Sequence, residues 1–360
     1  MKPRPQHTSV SPTVLVDIGD TLISRTVPGP CSRVEQALTA HGVDTSDPDT
    51  RLTLARCLLT GQDRGGAAAV LSDTLSLPAR TTAAVHAALR RTEGQARILP
   101  GARTLLAQAR QAGWNVIAVT NAAQWMPALP AALNRHVSDI VSSADVGLLK
   151  HDPEFWRRII DADHGIDEHA ALVIGDNPRA DGAAPSQAGL CSIVHAAAGP
   201  SLTEIADWIA HAAPAPATPL GLVAARSVRW AGHTVVAAPH LSALLAPVTR
   251  RRVRAFFGDR PAVAASLARR RDLPPVLIVP ESHLGGLVWL TAAGARRDHT
   301  IPADLHAALD QHSISVDGLS DRELMHLTAM VREAADADVR RDRIASVVQY
   351  LQASQKRCTP

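Results

Sequence analysis

Six side chains able to do chemistry, Asp17, Thr120, Asn121, Lys150, Asp176 and Asp181, stand at or just beyond the ends of apolar runs scattered along 360 residues. The first closes a strand-like run in Val14-Leu15-Val16-Asp17-Ile18-Gly19-Asp20-Thr21-Leu22 and sits on a glycine-containing turn. A carboxylate with an ordinary pKa of about 3.9 is ionised at neutral pH, so it can attack phosphorus without an activating base and hold the group as an acyl phosphate. A hydroxyl and an ammonium, as at Thr120 and Lys150, suit phosphoryl oxygens, while clustered carboxylates, as at Asp176 and Asp181, suit Mg²⁺. Phosphoryl transfer needs little beyond such positioning and neutralisation of charge.

The elements that must bring these groups together read as a parallel α/β sheet. After the first run come strand-like segments at Asn115 to Thr120, Asp139 to Ser142, Ala171 to Gly175 and Cys191 to Val194. Helical stretches alternate with them, among them Gly101 to Ala112 after Pro100 and Pro153 to Asp161 with proline at a first helical position. In open sheets of this kind chemistry collects beyond the carboxyl ends of the strands, which is where all six residues fall. Lysine usage adds weight to one of them. Only three lysines occur, Lys2 and Lys356 in the tails and Lys150 inside, as expected of a site that wants a compact ammonium in a chain otherwise using arginine. Survival of one surface lysine by chance is the plainer alternative.

About a hundred residues separate the first strand from the second, far more than a crossover needs. The segment from 23 to 98 is rich in Ala and Leu at helical spacing, as in Val34 to Leu38 and Ala83 to Leu89. It reads as a helical cap that could exclude water and select substrate. The α/β core is then expected over 10–22 and 99–212, followed by an Ala/Pro linker at 213–219. Strand-like runs at Val235-Val236, Val276 to Val279 and Leu287 to Leu290 predict an accessory α+β domain over 220–300. A helical tail over 301–360 opens with a capping box at Ser320-Asp321-Arg322-Glu323 and ends in a helix from Asp338 to about Leu351, with Ile344, Val348 and Leu351 on one face.

Composition limits the rest. The chain is 46% hydrophobic and 20% charged with a net charge of +3, which suits a globular multidomain protein and does not point to nucleic acid. The runs Arg250 to Arg254 and Arg269 to Arg271 read as solvated helix faces, because aromatic residues that could stack bases make up only 3%. Cys31, Cys57, Cys191 and Cys358 have no paired spacing, and His164 and His169 are too far apart to share a helix face well. His151 reads as a loop residue beside Lys150, and Pro280-Glu281-Ser282-His283-Leu284-Gly285-Gly286 as a polar loop. With no signal-like start and no apolar run of membrane length, a cytoplasmic protein without a membrane partner is expected.

Taken together, these motifs make the chain resemble the haloacid dehalogenase superfamily over about residues 12–210, in the form of a phosphatase with a helical cap after the first motif. Leu99-Pro100-Gly101-Ala102 and Val146-Gly147-Leu148-Leu149-Lys150-His151-Asp152-Pro153-Glu154 fit it as well. The resemblance implies Asp17 as nucleophile, the Gly19 carbonyl as a backbone metal ligand, and Thr120, Asn121 and Lys150 around the phosphoryl group. It also implies Asp176 and Asp181 as the acidic pair of a Mg²⁺ site, with Asp17 sharing the metal, and a small phosphorylated substrate. One position departs from it. Where most phosphatases of the family carry an aspartate as general acid, two residues after the nucleophile, this chain has Gly19. A substrate with a good leaving group, substitution by Asp20 or a cap residue, or a non-catalytic relative that docks a protein partner through its C-terminal half would each accommodate this. Halide displacement also needs no acid, but the resemblance weighs against it, because dehalogenases of the family work without magnesium and lack the paired aspartates.

Overall fold

The computed structural model describes residues 12–91, 94–126, 129–162, 166–195, 199–213, 215–216, 219–230, 233–237, 252–257, 263–270, 273–279, 286–292, 301–316, 319 and 321–358. Strand β1 (Thr13–Asp17) is buried along its whole length, as a strand without a polar face must be when both sides of its sheet are covered. A short hairpin pairs β2 (Ile23–Arg25) antiparallel with β3 (Ala96–Ile98), and helices α1 (Pro30–Ala40), α2 (Pro48–Leu59), α3 (Arg64–Thr74) and α4 (Ala79–Arg90) lie between them in sequence. Beyond the hairpin come α5 (Ala102–Gln111), β4 (Asn115–Thr120), α6 (Ala131–Asn134), β5 (Asp139–Ser142), α7 (Ser143–Val146) and α8 (Pro153–Asp161). The α/β part closes with β6 (Ala171–Gly175), a π-helical turn (Pro178–Ala183), α9 (Ala184–Gln187), β7 (Cys191–Val194) and α10 (Leu202–Ala210).

The sheet runs β5-β4-β1-β6-β7, all parallel, so β1 is central. Asp17 pairs in register with Val119, and Thr120 with Ser142, which sets the carboxyl ends of β1, β4 and β5 side by side. One face packs Val14, Val16, Val116, Ala118, Leu172 and Ile174 against α5 and α10; the other packs Leu15, Ile117, Val119 and Val173 against Phe155, Trp156 and Ile159 of α8. Alternate residues of each strand thus serve opposite cores. Gly101, at φ 82°, caps α5 in the left-handed region, where a Cβ would come 3.0 Å from that of Leu202, so α5 and α10 can approach closely only with glycine there.

Helices α1 to α4 have a core of their own, including Val34, Leu38, Leu58, Leu71, Val85 and Leu89. Their starts are set by local chemistry: Asp47 accepts from Thr50 N at 2.7 Å before Pro48, and Asp63 accepts from Gly66 N at 2.8 Å. This bundle is fastened to the α/β part near the strand ends. Ser143 Oγ donates to Leu59 O at 2.7 Å and Gln62 Nε2 to Ala144 O at 3.0 Å, while Trp125 packs against the bundle's core.

The strand-like runs of the C-terminal half belong to a closed antiparallel barrel. Its strands are β8 (Gly221–Trp230), β9 (His233–Ala237), β10 (Arg252–Phe257), β11 (Val263–Arg270), β12 (Leu273–Val279) and β13 (Gly286–Ala292), in the order β10-β11-β12-β9-β8-β13. Closure removes exposed edges. Leu222, Leu287 and Trp289 of the barrel join the core cluster that includes α5 and α10, and the Trp289 ring lies 6.1 Å from that of Trp114. Trp289 Nε1 donates to Ala213 O at 2.7 Å, so the expected linker is held at its first residue. The barrel and the α/β part therefore belong to one compact unit, 1–292, and 293–360 form a second. In that second unit helices Ala303–Gln311, Asp321–Arg332 and Ala337–Cys358 pack Leu305, Leu309, Val331, Val347 and Leu351 together. The last helix runs seven residues past the expected end at Leu351.

Several expectations fall outside the described residues: the polar loop from Pro280 to Gly285, Arg250, Arg251 and Arg271 of the arginine runs, His164, and Ser320 of the expected capping box. No helix among the described residues is long and apolar enough to cross a membrane. Because Trp289 is fully buried in a core shared with α5 and α10, Trp289→Ala is expected to cost about 3–5 kcal/mol, and urea unfolding should show the α/β part weakened together with the barrel.

Candidate active site

The chain leaves β1 through a tight turn: Leu22 N and Ile23 N both donate to Ile18 O at 3.0 Å, and Asp20 N donates to Ile23 O at 2.8 Å. Asp20 takes φ 55° to make this turn and points to solvent, as does Gly19. Asp17, just before it, is only 6% exposed. Its Oδ1 accepts a hydrogen bond from Lys150 Nζ, and the same ammonium lies 2.6 Å from Asp181 Oδ1. Lys150 is 2% and Asp181 1% exposed, so the ion cluster is out of water.

Each member is held by its own surroundings. Lys150 N donates to Asn121 Oδ1 at 2.9 Å, and Trp156 Nε1 donates to Lys150 O at 2.7 Å, so the loop after β4 and helix α8 together fix the lysine backbone. Helix α8 starts where it does because Asp152 accepts from Glu154 N at 2.9 Å and Pro153 follows. Asp181 is aimed inward by the π-helical turn. Asn177 Oδ1 caps that turn by accepting from Arg179 N and Ala180 N at 3.0 Å, and Asn177 N donates to Asp181 Oδ2 at 3.1 Å. Gly175 makes the approach possible, because a Cβ there would overlap the Asp181 carboxyl.

Asp176 completes the group. Its Oδ1 accepts from Thr21 Oγ1 at 3.2 Å, which ties the turn after β6 to the turn after β1. Asp17, Asp176 and Asp181 each offer an oxygen within 4.8 Å of the others. Burial pushes the Asp17 carboxyl up to about 6 against the opposing pull of Lys150, and Asp181 and Asp176 add to the rise. Asp176 is raised by burial and by Asp181, with the Thr21 bond opposing. Burial alone would depress Lys150, but attraction from Asp17 and Asp181 and its bonds to both raise it. Three carboxylates thus cluster around a site holding one ammonium, which contacts Asp17 and Asp181, an excess of negative charge in a mostly buried place. Oxygen donors in that arrangement suit a hard divalent cation such as Mg²⁺, so the residues present fit a metal of this kind.

Thus Asp17, Lys150, Asp176 and Asp181 converge as the sequence predicts. Thr120 ends β4, half-buried, one residue past Val119, the register partner of Asp17. Asn121 spends its amide oxygen on Lys150 N, which leaves its amide nitrogen as the group a ligand could use. Sequence reading missed Thr21 and Gly175. The signal for each was position: Thr21 falls inside the first motif, and Gly175 ends β6 directly before Asp176.

The haloacid dehalogenase-like hydrolase family model matches residues 12–189. Over those residues the chain belongs to that family. Solved structures similar to part of the chain include a 2-haloacid dehalogenase from Pseudomonas syringae pv. Tomato DC3000, at 20% identity and TM-score 0.35, covering 51% of this chain and 86% of that one. A HAD family enzyme from Bacteroides thetaiotaomicron, solved with magnesium and inorganic phosphate, gives 15% identity and TM-score 0.38 over 53% of this chain and 96% of its own. A predicted phosphoglycolate phosphatase from Haemophilus somnus 129PT gives 13% and 0.34 over 56% and 95%. No curated protein matches the chain. In this hydrolase the packing of Gly175 against Asp181 is directly testable. Gly175→Ala should lower stability by about 1–3 kcal/mol by displacing the Asp181 side chain, read as a lower urea midpoint; an unchanged midpoint would show that the turn relaxes freely.

Proposed function

We propose that this haloacid dehalogenase-like hydrolase is a Mg²⁺-dependent phosphatase of a small phosphorylated metabolite, with Asp17 as its nucleophile. The observation that supports this best is the cluster of Asp17, Asp176 and Asp181 at the strand ends, with the buried Lys150 ammonium between Asp17 and Asp181. An oxygen of Asp17 forms a bond to phosphorus while the bond from phosphorus to the ester oxygen breaks. That oxygen leaves with the electron pair and must be protonated or otherwise stabilised. Water then attacks phosphorus of the aspartyl phosphate, releasing inorganic phosphate and restoring Asp17. Thr120, the Asn121 amide nitrogen and the Lys150 ammonium hold the phosphoryl oxygens. Asp17, the Gly19 carbonyl and Asp176, with Asp181 in support, would hold Mg²⁺, which when bound would supply positive charge to those oxygens. Helices α1 to α4 act as the cap that keeps bulk water out.

The expected outcome for Asp17→Asn is loss of phosphate release from every member of a phosphomonoester panel, with the circular dichroism spectrum retained. EDTA should abolish release and Mg²⁺ restore it. Activity retained in Asp17→Asn would overturn the mechanism, and no release by the full chain from any ester would favour a non-catalytic role.

Gly19 bears on the leaving group. It takes no left-handed φ, and a Cβ built there meets nothing within 4 Å, so the place of a general acid is open. Gly19→Asp should raise kcat on alkyl phosphates by about tenfold or more and change p-nitrophenyl phosphate little, because that leaving group needs no proton. A fall on both substrates would mean that the position serves something other than proton supply. The open position also favours a second reading, displacement of halide, which the three carboxylates oppose. Chloride release from 2-chloropropionate without phosphatase activity would establish it.

A further inference from the structure

Asp176 is the least constrained of the three carboxylates. Asp17 and Asp181 are buried and each contacts the Lys150 ammonium, whereas Asp176 is half-buried and, among the described residues, forms no ion pair with it. Its hold comes from across the site. Thr21 Oγ1 donates to Asp176 Oδ1 at 3.2 Å, a bond between residues 155 apart in sequence. Thr21 itself is fully buried, and it stands between Asp20, which makes the turn at φ 55°, and Leu22, which is buried in the main core and whose carbonyl accepts from Leu99 N at 3.0 Å. A β-branched side chain so placed has little rotamer freedom, so the backbone of the turn directs the hydroxyl. The same turn carries Gly19, which bridges to Ile23 and whose carbonyl is the proposed backbone ligand. Two of the donors proposed for a divalent cation therefore stand on two turns that this hydrogen bond joins.

We infer that Thr21 is a positioning residue for the metal, its hydroxyl setting the Asp176 carboxylate against the Gly19 carbonyl before cation or substrate arrives. The inference rests on the reading of these groups as a divalent-cation site, and it names the residue that governs how tightly that site binds. A hydroxyl takes only one of the acceptor positions of a carboxylate, so Asp176 is oriented and still has oxygen lone pairs free for a metal. Partners that orient a ligand from behind typically govern metal affinity by 10- to 100-fold. A valine would fill the same space as Thr21 and do none of this, because its shape is that of threonine without the donor.

The test measures cation binding by the full chain without substrate, using electron paramagnetic resonance of free Mn²⁺ and competition by Mg²⁺. Thr21→Val should raise the dissociation constant about ten- to hundredfold, and Thr21→Ser, which restores the hydroxyl, should bind close to the unmodified protein. In an Asp176→Asn background Thr21→Val should change binding little further, because the carboxylate it aims is already gone. A dissociation constant unmoved in Thr21→Val, or raised as much in Thr21→Ser, overturns the inference. Each variant must keep its circular dichroism spectrum; where Thr21→Val does not, Thr21→Ala removes the same donor and the same outcomes decide. Failure of the phosphatase reading looks different. Cation binding that Thr21→Val weakens, with no ester hydrolysed, leaves the role of Thr21 standing and rejects the phosphatase; ester turnover with affinity unmoved in Thr21→Val rejects only Thr21. No Mn²⁺ binding by the unmodified protein overturns both.

Discussion

The Lys150 ammonium, buried between the carboxylates of Asp17 and Asp181, is the contact on which the site depends. Taking such ions out of water costs several kcal/mol each, and only excellent geometry offsets it. That geometry is enforced from behind. Trp156 and Asn121 hold the lysine backbone, Asn177 and Gly175 hold Asp181, and the flanking strands hold β1. The cluster is nevertheless unbalanced, because Asp176 adds a third carboxylate and no second cation stands among them in the described residues. The raised pKa values of Asp17 and Asp176 have burial as their largest cause, and the like charges around them add to it. A fold stable enough to bear this imbalance is poised to accept positive charge from outside.

Two additions to the α/β part meet it in different ways. The helical bundle is fastened at the loops after β4 and β5, by Ser143, Gln62 and Trp125, close to where the site residues emerge. The barrel instead enters the main hydrophobic core through Leu222, Leu287 and Trp289. Among the described residues it contributes nothing to the carboxylate cluster. Its packing on α5 and α10 makes it part of the stability of the unit that carries the chemistry.

Much of this was legible in the chain. The four later parallel strands run at the residues their apolar runs mark, β6 because a strand buried on both faces has to be continuously apolar, and α8 runs from Pro153 to Asp161 because its proline and preceding aspartate fix its start. The site residues were legible for a related reason: strand ends in a parallel sheet converge, whatever their spacing in sequence. The β2–β3 hairpin was not, since three-residue strands such as Ile23-Ser24-Arg25 carry no period. Nor was the barrel as such. Strand β11, Val-Ala-Ala-Ser-Leu-Ala-Arg-Arg, has the composition of a helix, and only its pairing with β10 and β12 makes it a strand. The Trp114 and Trp289 contact joins residues far apart in sequence and leaves no local trace in either neighbourhood.

On the proposed phosphatase reading, the missing acid at Gly19 bears on the bond from phosphorus to the ester oxygen. When the ester bond breaks, negative charge grows on the departing oxygen, and a proton is one of two ways to meet it. The other is a fixed positive potential, which is worth more where water is excluded than in bulk solvent. A departing phosphate or acyl group also has a low pKa of its own, which lessens the need for protonation further. On the proposed phosphatase reading, the open space at Gly19 fits a substrate whose leaving group needs little protonation.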